Sequence, residues 1–406
     1  MIHNRYAKYA NYAPAHKSDV LKLPAREGRA ARDGHCGDRK RRGRKSAAII
    51  MSAGLALLSA FIPMTAQEAK AATDPSYISG GGGGRGSGGG TPENNGSFIG
   101  SNIGNQAGPA LVTQGGELIA GPGMAAAVRE EYGLELFGIA STGRIHYDTS
   151  PRLDLSSTHL MTGLSRGWNI AHNRLTLGAF FEYGAGSYDS QAVFESGPIR
   201  ADGNVRYIGG GVLGRMDFAE NGRGRFYAEG SGRAGSVRNE FNSYGLSDFL
   251  GNNAKFASNS AYFSLHAGLG YLLNISERSM LDIYGKYFWT RIGGDSVYIS
   301  AGEHIEFQDF NSHRLRIGGR FSHTVNESVK AYAGTAWEHE FDGRIRGSAN
   351  GYSLGVSSLS GGTGIGELGL LITPSETMPL FIDLGIQGYT GKREGVTGRL
   401  EIRWEF

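Results

Sequence analysis

The sequence has almost no cysteine, because Cys36 is the single one among 406 residues. This excludes internal disulfide bonds and cysteine-based metal sites. After residue 71, no stretch approaches the roughly 18 to 20 consecutive apolar residues of a membrane-spanning helix. Glycine and aromatic residues are abundant instead, with 66 Gly, 19 Tyr and 19 Phe. This composition indicates many strands rather than helices.

Excess positive charge is confined to one end of the chain. Residues 1–45 contain 13 Lys/Arg against 4 Asp/Glu, a net charge of +9, whereas residues 72–406 contain 27 against 33, a net charge of −6. The basic run "RKRRGRK" (Arg39–Lys45) is also typical of nucleic-acid binding. The residues that follow it explain the run better, so no nucleic-acid partner is predicted.

An apolar segment, Ala47–Ile62, follows the basic run and leads to Pro63 and the A-x-A pattern of Ala69 and Ala71. Together these features predict an extended signal peptide over residues 1–71, cleaved after Ala71. A membrane anchor is the weaker alternative, because about 16 apolar residues are short for a span. The unusual length of the basic part fits either an extended signal or an upstream start-codon artefact.

Two segments precede the strands. Residues 72–106 contain the glycine-rich tract Ser79–Ser97, which predicts a flexible linker or vestigial passenger and not a phosphate-binding loop, so no cofactor is expected. Within residues 107–133, Leu111, Leu118 and Ala125 recur at a helical spacing of seven. Gly115 and Gly116 should weaken this helix, and the sequence Gly-Pro-Gly at 121–123 should divide it into two segments.

Residues 134–406 form a series of segments in which apolar and polar residues alternate. In "YFSLHAGLGYLL", for example, Phe263, Leu265 and Leu269 share one face and His266 lies on the other; Phe180 is an exception to the alternation in its own segment. The twelve predicted strands are Leu134–Tyr147, His159–Asn169, Arg174–Tyr188, Val205–Phe218, Arg225–Phe241, Tyr262–Leu273, Met280–Ile292, Arg314–Thr324, Lys330–Phe341, Thr363–Thr373, Leu380–Thr390 and Val396–Phe406.

The lengths of these segments and of their connections favour a membrane barrel over a soluble sandwich. Each segment has at least 11 residues, enough to cross a bilayer when tilted. Short polar turns such as "IAHN" follow the even-numbered strands, and most connections after odd-numbered strands are long. The sequence therefore predicts an all-β fold: a 12-stranded antiparallel transmembrane β-barrel with an N-terminal α-helical segment in the lumen.

Charged and polar side chains on the inward parity predict a wet, salt-bridged lumen, and some of them are candidates to contact a luminal helix or a passing chain. The lumen-facing candidates are Glu182, Glu229, Arg233, His266, Asp282, Lys286, Arg316, Glu338, Glu367 and Asp383. No spacing among them indicates a metal site.

The final segment, "GRLEIRWEF", places Leu400, Ile402, Trp404 and Phe406 on one apolar face. It is predicted to be the closing strand of the barrel, facing lipid. An aromatic-terminated strand of this form resembles the signal that outer-membrane barrels present to their assembly machinery.

Several dense motifs carry a family resemblance, among them "FGIASTGRIHYDTSPRLDLSS", "GRGRFYAEGSGRAGSVRNEF", "LDIYGKYFWTR", "AYAGTAWEHEFDG", "GTGIGELGL" and "LGIQGYTGKREGVTG". With them, the region from about Phe137 to Phe406 resembles the translocator β-barrel of autotransporters (type V secretion). The resemblance implies an outer-membrane barrel of Gram-negative bacteria that exports or displays an N-terminal passenger tethered by the luminal helix. It also implies the partners: outer-membrane lipid, the Sec translocon, periplasmic chaperones and the barrel assembly machinery. The passenger here is expected to be very short or lost.

Two other functions stay open. One is an orphan pore-forming or structural outer-membrane barrel; the other, more remote, is a barrel hydrolase. The "GGDSV" stretch resembles an esterase block, but Ser296 opens a long outer loop of an all-β chain. His159, His304, His313 and His339 are interpreted as solvated loop or rim residues. The sequence therefore predicts no catalytic residues and no enzyme.

Overall fold

The computed structural model describes residues 104–120, 133–194, 197–247, 253–300, 302–374 and 379–406. The predicted signal peptide, the glycine-rich tract and residues 121–132, with the predicted break in the helix, lie outside the described residues. None of the helices in the described part of the chain is long and apolar enough to cross a membrane.

A helix and a succession of antiparallel strands make up the described fold. The helix, α1, spans Ala107–Leu118. The strands in chain order are β1 (Leu134–Tyr147), β2 (Arg152–Ile170), β3 (Asn173–Phe194), β4 (Gly197–Asp217), β5 (Gly224–Ser247), β6 (Asn253–Ser276), β7 (Ser279–Ile292), β8 (Asp295–Tyr298), β9 (His304–Phe307), β10 (Phe310–Asn326), β11 (Val329–Glu340), β12 (Arg344–Ile345), β13 (Gly347–Ala349), β14 (Tyr352–Ser353), β15 (Ser357–Ser358), β16 (Gly361–Ile372), β17 (Leu380–Gly391) and β18 (Arg393–Glu405).

Twelve of these strands close into a barrel in the order β1, β18, β17, β16, β11, β10, β7, β6, β5, β4, β3, β2. They correspond one to one to the twelve predicted segments. The barrel closes where β18 pairs with β1, from Glu135 opposite Glu405 to Tyr147 opposite Arg393. The Phe406 N–H extends this ladder by donating to the Leu134 carbonyl at 2.9 Å. Closure leaves no unpaired sheet edge, which lipid cannot satisfy.

The two faces of the barrel strands differ as the alternation predicts. On β6, Leu265 and Leu269 are 43% and 68% exposed, whereas His266 between them is 6% exposed. Large apolar side chains that are exposed on many strands form the face that meets lipid. The exception, Phe180, points inward and packs in a luminal cluster with Leu118 and Ile119.

Several strands are longer than predicted at the end with the long connections. The alternation predicts loops over 190–202 and 242–256. In the structure, β3 and β4 stay paired up to Phe194 and Gly197, and β5 and β6 pair beyond Phe241. Hydrogen-bonded ladders continue there because they satisfy backbone groups regardless of side-chain polarity. The alternation fades where neither face meets lipid, so it does not mark these extensions.

The six short strands form an outer cap, defined as residues 293–309 and 342–360, at the same end of the barrel. Strands β14, β13, β9 and β8 make one sheet, and β12 pairs with β15. Ile305 and Phe307 of the cap pack with Phe241 and Phe256 of the barrel. Two further cap residues, Ile345 and Leu359, belong to the cluster that surrounds α1. The cap therefore packs onto the contents of the lumen.

Candidate functional site: the helix-binding lumen

Helix α1 lies inside the barrel, because its residues and Ala120 just after it contact strands on opposite sides of the ring. Gln114 donates from Nε2 to Tyr147 Oη of β1 at 2.9 Å, and Lys286 of β7 donates to the Ala120 carbonyl. Arg314 of β10 donates to the Thr113 carbonyl at 2.9 Å. A helix on the outer surface reaches only adjacent strands, whereas β1 and β7 lie across the barrel from each other. Eleven of the twelve α1 residues are buried. The prediction of a 12-stranded barrel with a helical segment in its lumen is therefore confirmed.

The direction of α1 follows from the partners at its two ends. The carbonyl of Gly104 accepts a hydrogen bond from Asn239 at 2.7 Å, close to the long-connection end of β5. The carbonyl of Ala120 meets Lys286 nearer the short-turn end. The N-terminus of the helix therefore points to the capped mouth, and the chain enters β1 at the opposite rim.

The carboxylate of Glu117 on α1 lies among three arginines of the barrel wall. Its oxygens are 2.7 Å from Arg314, 2.9 Å from Arg316 and 2.6 Å from Arg393. Glu338 of β11 contacts the same three guanidinium groups at 3.3, 2.8 and 2.9 Å. We call these five residues the arginine clamp. Because all five side chains are at most 8% exposed, each charge depends on its partners in place of water.

A second contact to α1 comes from Glu182 and Arg233. Arg233 Nη1 donates to Glu182 Oε2 at 3.0 Å, and its other terminal nitrogen donates to the Val112 carbonyl. Tyr262 donates to Glu182 Oε1 at 2.6 Å. The guanidinium is thus held by strand residues and directed at the backbone of the helix.

Two of the three glycines of α1 lie where the wall approaches the helix closely. A Cβ at Gly115 would lie 2.1 Å from Tyr207 Oη, and one at Gly116 would lie 3.0 Å from Arg233 Nη2. The helix runs through both positions without a break. Packing against the wall therefore overrides the low helix propensity of the pair.

The lumen-facing candidates do not form one site; they are divided among several groups. Arg316 and Glu338 belong to the arginine clamp, and Glu182 and Arg233 form the pair described above. Glu229 contacts Lys286 at 2.7 Å and His266 at 3.4 Å. The other candidates have these partners: Glu367 with Arg320 at 2.6 Å, Asp383 with Tyr332 at 2.7 Å, and Asp282 with Tyr227 at 2.9 Å. Nine of the ten are buried, and Asp282 is partly buried.

Three members of the clamp, Arg314, Arg393 and Glu117, were not among the ten lumen-facing candidates, although Arg314 shares the parity of Arg316. Arg393 lies before the predicted start of the last strand. It shares the parity of Arg399 and Glu401, so the alternation could have identified it as facing the lumen. Glu117 lies on the predicted helix, but nothing in the sequence relates it to wall residues about 200 to 275 positions away.

The interpretation of His159 as a solvated rim residue is wrong. His159 is 3% exposed in the lumen, and its ring nitrogens lie 3.2 Å from Tyr207 Oη and 3.3 Å from Gln114 Oε1. Its parity on β2, the same as that of Ser157, places it inward. His313, by contrast, lies on the outside of the wall, where its Nδ1 is 2.7 Å from Tyr287 Oη.

The described residues support neither the esterase-like stretch as a catalytic site nor a metal centre. Ser296 is exposed on β8, where it pairs with Glu306 and not with a histidine. No three His, Cys, Asp or Glu side chains in the described ranges are grouped to hold a metal ion.

Comparison with known proteins agrees with this geometry. Residues 135–385 match the family model for the autotransporter β-domain. The translocator domain of NalP from Neisseria meningitidis is 13% identical, with 76% of this chain and 99% of that chain covered and a TM-score of 0.57. The β-domain of Bordetella BrkA is 15% identical, covering 67% of this chain and 99% of that chain at a TM-score of 0.53.

A third structure, the transport unit of AIDA-I from Escherichia coli, is 14% identical, with 73% and 99% coverage and a TM-score of 0.52. Comparison with curated protein sequences finds no match. At these identities the solved structures show a shared fold. The family match, which covers more than half of the sequence, shows that the chain belongs to the autotransporter β-domain family.

Proposed function

We propose that this outer-membrane barrel displays the chain segment that precedes α1 on the cell surface and that α1 is its tether. The observation that carries the proposal is the direction of α1, whose N-terminal end lies beside Asn239 at the capped mouth. The arginine clamp holds the tether through Glu117. The proposed activity is transport and display, without a catalytic step.

Cysteine labelling on intact cells tests the display. In a Cys36→Ser background, Ser87→Cys places one thiol in the segment ahead of α1. We expect a membrane-impermeant maleimide to label this thiol to the same extent as Ser300→Cys in the outer cap. Glu277→Cys, in the turn between β6 and β7 at the other rim, should be labelled only after the outer membrane is permeabilised.

Labelling of Ser300→Cys without labelling of Ser87→Cys on intact cells would contradict display of this segment. Labelling of Glu277→Cys on intact cells would reverse the orientation of the barrel.

The route to the membrane forms the second part of the proposal. A signal peptide cleaved after Ala71 directs the chain through the Sec translocon, and periplasmic chaperones pass it to the barrel assembly machinery. Leu400, Ile402, Trp404 and Phe406 serve as the assembly signal. Their support is the pairing of β18 with both β17 and β1, since insertion must align this strand to close the ring.

Replacement of Trp404 and Phe406 with serine tests the assembly signal. We expect the double variant to accumulate in the periplasm as a protease-sensitive chain. The matched control replaces Tyr298 and Tyr352, two aromatics of the outer cap that are 72% and 69% exposed, and should leave outer-membrane yield unchanged. Equal yields for both variants would rule out a special role of the last strand.

A further inference from the structure

Two arginines face each other on the outer surface of the barrel. Arg206 of β4 lies directly opposite Arg238 of β5, and both side chains are exposed. Like charges directly opposite each other across a sheet are destabilising. A ligand of opposite charge would offset this repulsion.

The height of the pair follows from the strands that carry it. Phe218 and Phe226 are exposed on the same outward face, and the Phe218 N–H donates to the Phe226 carbonyl at 3.0 Å. Phe218, just past the end of β4, is twelve residues from Arg206, and Phe226 of β5 is twelve residues from Arg238. Twelve residues at about 3.3 Å each, tilted by about 40°, extend about 30 Å along the barrel axis, whereas the apolar band of such barrels is about 25 Å tall. With the two phenylalanines at the short-turn edge of the apolar band, the arginines therefore lie just beyond its opposite edge, at the capped end.

The surroundings of the pair are those of a small anion site. Arg238 Nε donates to Glu240 Oε1 at 3.0 Å, where both side chains are about half exposed. Arg206 has no ion-pair partner among the residues that the structure describes. The exposed side chains of Asn204 and Asn259 neighbour the arginines in the ladder, Asn259 directly opposite Arg238. The two arginines and Glu240 together carry a net positive charge, and the asparagines add amide donors. The Asp295 carboxylate also touches the group, because it accepts from the Asn259 backbone N–H at 2.8 Å.

We propose that Arg206 and Arg238 bind a phosphate group of an anionic lipid in the outer leaflet. Guanidinium groups donate pairs of parallel hydrogen bonds that match phosphate oxygens. Ile208 and Val212, 49% and 62% exposed below the pair on β4, extend the site into the region of the acyl chains. A lipid with its phosphate at the arginines contacts both parts, whereas free phosphate contacts only the first. The site needs the outer-membrane location of the family and the proposed orientation, with the capped end outward, but not display of the segment that precedes α1.

Lipid binding to the full-length folded barrel in detergent tests the site, measured by native mass spectrometry. The probes are diphosphorylated lipid A and the same glycolipid without phosphate. We expect the wild-type barrel to prefer the diphosphorylated form, and the double variant Arg206→Gln, Arg238→Gln to bind it about tenfold more weakly or worse. The double variant with lysine at both positions should bind with intermediate affinity, because it keeps the charge but loses the paired hydrogen bonds.

Arg291→Gln is the matched control. Arg291 is another outward cation, but it is already paired with Asp309. The backbone N–H of Gly294 and the Arg291 guanidinium lower the pKa of this exposed carboxyl group, so it stays ionised at neutral pH. This control should bind lipid as the wild type does. Heat-modifiable gel mobility confirms that each variant is folded, and the single variant Arg206→Gln serves if the double variant does not fold.

Either of two results would overturn the proposal. In the first, the glutamine variant binds diphosphorylated lipid A as tightly as the wild type does. In the second, inorganic phosphate at equal concentration displaces the lipid, which would assign the site to free phosphate. Deletion of α1 should leave lipid binding unchanged, so failure of the display proposal would not affect this test.

Discussion

The half of the lumen near the cap and the half near the short turns hold their contents in different ways. Near the cap, Ala107 and Leu111 of α1 pack against apolar wall residues such as Leu155 and Val205. Near the short turns, wall residues pair with one another, as Arg320 of β10 does with Glu367 of β16 across the intervening β11. Leu118 and Ile119 also pack towards the short turns, against Phe137 and Phe180. The halves therefore differ mainly in their charges, which the second half satisfies within the barrel wall.

This difference means that the interactions that retain the helix are not the ones that stabilise the barrel wall. Apolar packing is not directional, so it fills the mouth without fixing one position of α1. Ion pairs between strands keep the wall satisfied whether or not a chain occupies the pore. The arginine clamp joins the two halves, because Glu117 of the helix neutralises arginines of the wall.

The largest expected effect comes from deletion of residues 107–131. We expect single-channel conductance in planar bilayers to rise from nearly none to that of an open barrel, because α1 fills the lumen in the described structure. The strand ladders do not involve α1, so the deleted barrel should still fold, as gel mobility would verify. Equal conductance of the full-length and deleted barrels would mean that the helix does not block the pore.

Glu117→Gln should disturb both the helix and the wall. It leaves three buried arginines with the single carboxylate of Glu338, and breaking a buried charge pair costs about 3 to 5 kcal/mol. We expect a lower free energy of unfolding in urea, together with brief full-size openings in bilayer recordings as α1 loosens.

Glu367→Gln is the matched variant in the other half, because it removes a buried carboxylate whose partners, Arg320 and Gln387, are on strands. It should lower the unfolding free energy to a similar extent without producing openings. If both variants open the pore, or neither does, the proposed division between the two halves is wrong.

Gly115→Ala should produce a smaller loss, restricted to the helix. The added methyl group meets the Tyr207 ring, and overpacking of this kind costs about 1 to 3 kcal/mol. Protease resistance of α1 in the folded barrel reports the loss, and Tyr207→Leu in the same chain should recover part of it.

Gly108→Ala is the control on the same helix, since a Cβ there lies at an ordinary 3.6 Å from Val237 Cγ2. Its resistance should stay unchanged or rise slightly, because alanine has the higher helix propensity. Equal losses at Gly108 and Gly115 would mean that the close contact with Tyr207 is not the cause of the loss at Gly115.

Much of the barrel was predictable because the bilayer imposes a repeated pattern. Apolar residues must face lipid at every second position, so Leu265 and Leu269 identify β6 without any tertiary information. The same rule failed for Phe180, which faces the lumen because α1 supplies an apolar partner there. It also failed at the ends of β3 to β6, which extend beyond the membrane.

The sequence by itself determined the number of barrel strands, their order of turns and the two faces of each strand. Only the tertiary structure decided which luminal charges meet: Arg314, Arg316 and Arg393 come from two strands that are not neighbours, and Glu117 comes from a helix far away in sequence. The requirement that apolar side chains face lipid applies to each strand separately, so it appears in the sequence as a local pattern. Pairing inside the lumen depends on barrel closure, strand register and the depth of α1, which no local pattern records.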